Sequence, residues 1–153
     1  GGKTSALLSA CTHIGSLLGY ANDEKQEAYR LFGYHLGLAF QVQDDILGIW
    51  GDESVTGKSA ASDLVEGKNS LPILYGLGKQ GNFAKRWMQG PIAPTEVKEV
   101  AAQLEEEGGK SYAKEIAEKE TQKALEFLNK ADPKGEAGKS MRELANLLLK
   151  RNQ

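Results

Sequence analysis

Two adjacent carboxylates, Asp44 and Asp45, follow a run from Leu31 to Gln43 that contains no Lys, Arg, Asp or Glu. Paired acids on a polar helix face are ordinary solvated charge. At the end of an uncharged stretch they are acids carried toward a protein interior. Burying them unpaired costs several kcal/mol, so a cation must meet them. They also fall near a helix C-terminus, whose dipole disfavours negative charge. Mg²⁺ suits such a place, because it takes one or two carboxylates and keeps its other positions for water and substrate phosphate. Downstream, Gly57-Lys58 and Gly67-Lys68 set compact cations beside residues that let a backbone approach an anion closely. Acids for a divalent metal and lysines for phosphate oxygens could clamp a diphosphate and stabilise its charge as it leaves. A P-loop is excluded: five residues, not four, separate Gly51 from Gly57, and a helix rather than a strand precedes them.

Helices must position these groups. Leu7, Cys11, Ile14 and Leu18 draw one apolar stripe down a helix from about Lys3 to Tyr20, so Cys11 is expected in the core. Asn22-Asp23-Glu24 then opens a second helix, from about Asp23 to Gly48. So short a link predicts an antiparallel hairpin (residues 1–50). Reflection about its turn sets Lys3 level with Phe40 and Gln41, with Asp44 roughly 6 Å further on at 1.5 Å per residue. Lys3-Thr4, Gln41, Asp44 and Asp45 are therefore expected at one end of the hairpin. On a helical wheel Gly33, Gly37, Gln41, Asp44 and Gly48 share roughly an 80° arc. That strip could bed a ligand or let a helix pack closely.

Residues 51–70 read as a polar, glycine-punctuated loop, long enough to be functional. The rest, 71–153, reads as helices. A short apolar one starts at Ser70-Leu71-Pro72, and a weak segment holds Trp87. Amphipathic ones span Thr95 to Glu107 and Tyr112 to Lys130, and Glu136 to Lys150 closes through Leu144, Leu147 and Leu148. Glu105 to Glu107 reads as a solvated helix end, and Trp50 and Trp87 as packing anchors. His13 and His35 are read as helix residues with no metal role. No strand pattern or repeat is present, so the expected class is all-α.

Lys3-Thr4, Gly37-Leu38-Ala39-Phe40-Gln41 running into Gln43-Asp44-Asp45, Gly51-Asp52, Gly57-Lys58, Ser62-Asp63-Leu64, Gly67-Lys68 and Leu71-Pro72 together resemble the C-terminal half of a trans-polyprenyl diphosphate synthase. The resemblance implies an isoprenoid synthase helical bundle. It also implies a Mg²⁺-dependent transfer joining an allylic diphosphate to isopentenyl diphosphate. It assigns Asp44 to Mg²⁺ with Asp45 beside it, Lys3, Lys58 and Lys68 to the allylic diphosphate, and Thr4 and Gln41 to the reacting centre. A homodimer is implied for the full-length enzyme. The sequence departs from the family in one position: the second aspartate-rich motif is usually DDxxD, and its third Asp is Gly48 here. The first such motif, and the basic residues for isopentenyl diphosphate, belong to an N-terminal half that these residues do not contain. The fragment alone is therefore expected to be inactive. A terpene cyclase on the same fold, or a non-catalytic helical subunit, are the alternatives.

Composition bounds the rest. The chain has 153 residues, enough for a domain with a core. Its 19 basic and 21 acidic residues nearly cancel, which argues against a nucleic-acid partner bound through bulk charge. A lone Cys11 fits a reducing compartment, read here as cytoplasm. The uncharged stretch Thr4 to Asn22 is too rich in Ser and Thr for a membrane span. With no signal peptide and a Gly1-Gly2 start, the chain reads as a soluble piece of something longer.

Overall fold

The structure, a computed structural model, describes residues 2–51 and 61–149, with side chains through 147. The described residues form helices and no strand: α1 Gly2–Leu18, α2 Asp23–Trp50, α3 Ser62–Val65, α4 Leu71–Lys79, α5 Asn82–Met88, α6 Val97–Glu106, α7 Gly109–Ala131 and α8 Gly135–Leu149. The all-α expectation holds. The helices divide into two compact units, one built from residues up to 41 and from 116 onward, the other from residues 42–115. The chain passes between them inside α2 and again inside α7.

In the first unit α1 closes through Tyr20, whose φ of 54° lies in the left-handed region. The Ala21 N–H reaches the Ser16 carbonyl and the Tyr20 N–H that of Leu17, a Schellman closure that usually takes glycine. Asn22 caps α2, its Oδ1 accepting from the Lys25 N–H at 3.0 Å. The hairpin forms with the predicted register, but α1 turns the other face inward. Leu7, Ile14 and Leu18 are 65%, 54% and 76% exposed, and Cys11 is exposed with them. Ser5, Ser9 and Ser16 are buried instead. The cause is how closely α2 approaches. A Cβ on Gly37 would overlap the Ser5 Cα, and one on Gly33 would stand 2.5 Å from the Leu8 carbonyl oxygen. Only small side chains fit between backbones so near, and carbonyls satisfy their hydroxyls: Ser9 Oγ donates to Arg30 O at 3.0 Å and Ser16 Oγ to His13 O at 2.7 Å. Gly33 and Gly37 therefore serve close packing. Phe32 and Leu36 meet Ala124, Leu128 and Ala145 in this unit's core. α8 turns Met141 and Ala145 inward, leaving the expected core residues Leu144 and Leu147 55% and 70% exposed.

In the second unit α4, α5 and α6 pack on one another and α3 packs on α6. The core includes Ile49, Leu64, Ile73, Phe83, Val100 and Leu104, with Trp50 and Trp87 packed against it. Trp50 Nε1 donates to Ala101 O at 3.3 Å, so this indole is a packing residue. Helices α3 and α5 stand where a loop and a weak segment were expected. α5 is short and lacks a capping side chain of its own. Glu107 supplies one, accepting from the Phe83 N–H at 3.1 Å and filling the space beside Gly81. The expected solvated run of glutamates thus ends in a cap.

Candidate functional site

The end of α2 in the second unit carries Asp44 and Asp45. Asp45 is 7% exposed, and its Oδ2 accepts from the Leu71 N–H at 3.1 Å, at the start of α4. Ser70, expected to begin that helix as its cap, makes no capping side-chain bond. A carboxylate at a helix N-terminus is favourably placed, which offsets its poor position at the end of its own helix. The compensating cation is internal. Lys68 Nζ lies 2.8 Å from Asp63 Oδ2, 3.2 Å from Asp45 Oδ1 and 3.9 Å from Asp44 Oδ2.

Burial pushes the Asp63 carboxyl above its ordinary range, against the pull of Lys68. Burial also pulls on the Lys68 ammonium, but hydrogen bonds to Asp63 and Asp45 outweigh it and hold the group above its usual value. The Asp45 and Asp63 side chains are only 9% and 4% exposed, whereas that of Asp44 is 40% exposed and that of Lys68 36%. One carboxylate and one ammonium thus face solvent, and two buried acids fix the ammonium.

Among the described residues, no group of three or more His, Cys, Asp and Glu side chains is arranged to hold a metal ion alone. A single accessible carboxylate still fits Mg²⁺, which takes most of its ligands from water and substrate phosphate. The first unit brings together another predicted pair: the Thr4 hydroxyl donates to Gln41 Oε1 at 3.4 Å. Lys3 is exposed on α1. Lys58 lies outside the described residues, as do Gly57 and Asp52. Asp63 is the site residue to which the sequence reading gave no role. Its signal was the glycine at 48, where the family motif has an acid.

A helical fold with paired acids at the end of a long helix is that of the isoprenoid synthases. The polyprenyl synthetase family model matches residues 1–106, and the chain belongs to that family. A geranylgeranyl diphosphate synthase of Mycobacterium tuberculosis is 38% identical over 132 residues, spanning 83% of this chain and 38% of the relative. The crystal structure of geranylgeranyl pyrophosphate synthetase from Pyrococcus horikoshii superposes with a TM-score of 0.86 at 30% identity, over 99% of this chain and 47% of that one. The enzyme of Corynebacterium glutamicum complexed with isoprenyl diphosphate and magnesium gives 0.85 at 26% identity, over 98% and 44%. The chain spans less than half the length of each.

Proposed function

We propose that this chain is the second-aspartate-motif half of a Mg²⁺-dependent trans-prenyl diphosphate synthase, which condenses an allylic diphosphate with isopentenyl diphosphate. The observation that carries the reading is the solvent-facing Asp44 carboxylate beside the Lys68 ammonium, which two buried acids hold in place. Asp44 is the carboxylate that would hold Mg²⁺. Once bound, the ion would neutralise charge on the departing diphosphate. Asp45, whose Oδ2 accepts from the Leu71 N–H and whose Oδ1 lies 3.2 Å from Lys68 Nζ, is a neighbouring contributor to the same metal site. Lys68 spends hydrogen bonds on Asp63 and Asp45, and a third proton remains for a phosphate oxygen. By family resemblance Lys3 and Lys58 also serve the diphosphate, and Thr4 and Gln41 serve the reacting carbon. The same resemblance supports a homodimer and a cytoplasmic setting for the complete enzyme. Among the described residues, no helix is long and apolar enough to cross a membrane.

Titration of an allylic diphosphate into the protein tests this reading. Binding is expected with Mg²⁺, and is lost with EDTA or in Asp44→Ala. Asp23→Ala, at the opposite end of α2, binds as the wild type does. In the full-length protein Asp44→Ala lowers turnover by about 10²–10³, the scale of a lost charge-stabilising group. Absence of metal-dependent binding by the wild type overturns the reading. The 153 residues lack the family's first aspartate-rich motif, so this chain alone forms no elongated product; detectable product overturns that part.

A further inference from the structure

The space beside Gly48 is filled by a carboxylate from another element. A Cβ built on Gly48 would stand 2.5 and 2.6 Å from the two oxygens of Asp63, and nearer still to its Cγ. Asp63 is 3% exposed and lies in α3, the four-residue turn that precedes Lys68. The Lys68 N–H bonds the Asp63 carbonyl at 3.0 Å while its Nζ bonds the Asp63 carboxylate at 2.8 Å. One residue therefore anchors Lys68 at both its backbone and its side chain. The ammonium so held reaches Asp45 and Asp44 at 3.2 and 3.9 Å.

We propose that Asp63 supplies, from outside the helix, the third carboxylate that the motif lacks at position 48, and that it positions Lys68 beside Asp44 for the diphosphate. Its placement for the diphosphate rests on the function proposed above; the exchange of carboxylates does not. The glycine is then a requirement of this arrangement rather than a lost ligand. A side chain at 48 and an acid at 63 compete for one volume, so restoring the family's aspartate at 48 alone damages the cluster. Removing the acid at 63 at the same time makes room for it.

The test is a cycle of Gly48→Asp, Asp63→Ala and the double variant, with Asp63→Asn added as a near-isosteric change in case the alanine variant does not fold. Thermal unfolding in metal-free buffer reads the exchange. Gly48→Asp lowers Tm by about 5 °C or more, although intrinsic helix preference favours Asp over Gly. The double variant recovers at least half of that loss. A tolerated Gly48→Asp, or a double variant as unstable as the two losses summed, overturns the exchange.

Mg²⁺-dependent binding of inorganic pyrophosphate reads the positioning. Asp63→Ala and Asp63→Asn weaken it about 10–100-fold, the range for loss of a supporting residue, and the double variant regains most of it. That rescue is a readout which a purely structural role for Asp63 would not give. Wild-type affinity in folded Asp63→Asn overturns the positioning role. Absence of pyrophosphate binding by the wild type overturns the diphosphate reading and the positioning built on it, while the unfolding cycle still decides the exchange.

Discussion

His35 Nδ1 lies 2.6 Å from Glu120 Oε2, and Lys123 Nζ lies 3.0 Å from Glu120 Oε1. Burial would raise the Glu120 carboxyl, yet the hydrogen bonds from His35 and Lys123 prevail and hold it below its ordinary 4.5. A depressed acid contributes stability that is full above its unfolded value and disappears as pH falls through its folded one. Glu120→Gln therefore lowers Tm at pH 7, by the equivalent of about 1–3 kcal/mol for a buried partner left unpaired. The gap between the two proteins closes below pH 4.5, as paired melting curves across that range would show. At this scale the need of Asp44 and Asp45 for a cation was legible, because acids that follow an uncharged run demand one; that Lys68 meets them, where Mg²⁺ was expected, was not. Asp63 was not, since its part depends on a volume left open by a residue far away in the chain. Cys11 was misplaced, for a reason that belongs to the helix carrying it.

That helix, α1, has two faces that each look plausible inside: one of Leu7, Cys11, Ile14 and Leu18, the other of Ser5, Ser9, Thr12 and Ser16. Periodicity finds the stripe but does not say which neighbour meets it. The glycines of α2 decide the matter, since they pull the backbones to a separation that only the serine face tolerates. Gly37→Ala is accordingly a severe change. Its Cβ would meet Ser5 backbone, which cannot swing aside as a flexible side chain can. Overpacking of this kind costs about 1–3 kcal/mol, and chemical denaturation would read it as a lower midpoint with an unchanged slope. Element existence was read well, since the long helices fell within a few residues of their predicted limits. The short ones, α3 and α5, were missed because partners outside their own sequence support them: α3 packs on α6, and Glu107 caps α5.

Fold class and family were legible for the whole molecule, because helical spacing persists throughout and the motifs cluster in its first half. The distribution of apolar surface was not. Leu7, Ile14, Leu17 and Leu18 on α1 are each 47% exposed or more, and Leu144 and Leu147 add to that on α8. Contiguous apolar surface promotes association in water. Replacing Leu7, Ile14 and Leu18 with Gln lowers self-association in sedimentation velocity and leaves helicity by circular dichroism unchanged. The same triple change in a protein with those residues in its core would unfold it, so the two outcomes are easily told apart.

The passage of the chain between its two units inside α2 and α7 sets an order of assembly. Residues 42–115 are continuous, so their contacts are local and can form on the ribosome as soon as the segment emerges. The other unit joins residues up to 41 to residues from 116 onward, across the whole of that segment. It cannot close until residues beyond 116 have been synthesised, and the entropy of closing so long a loop falls on that step. Until then Phe32 and Leu36 of α2 wait for the alanines and leucine that will cover them.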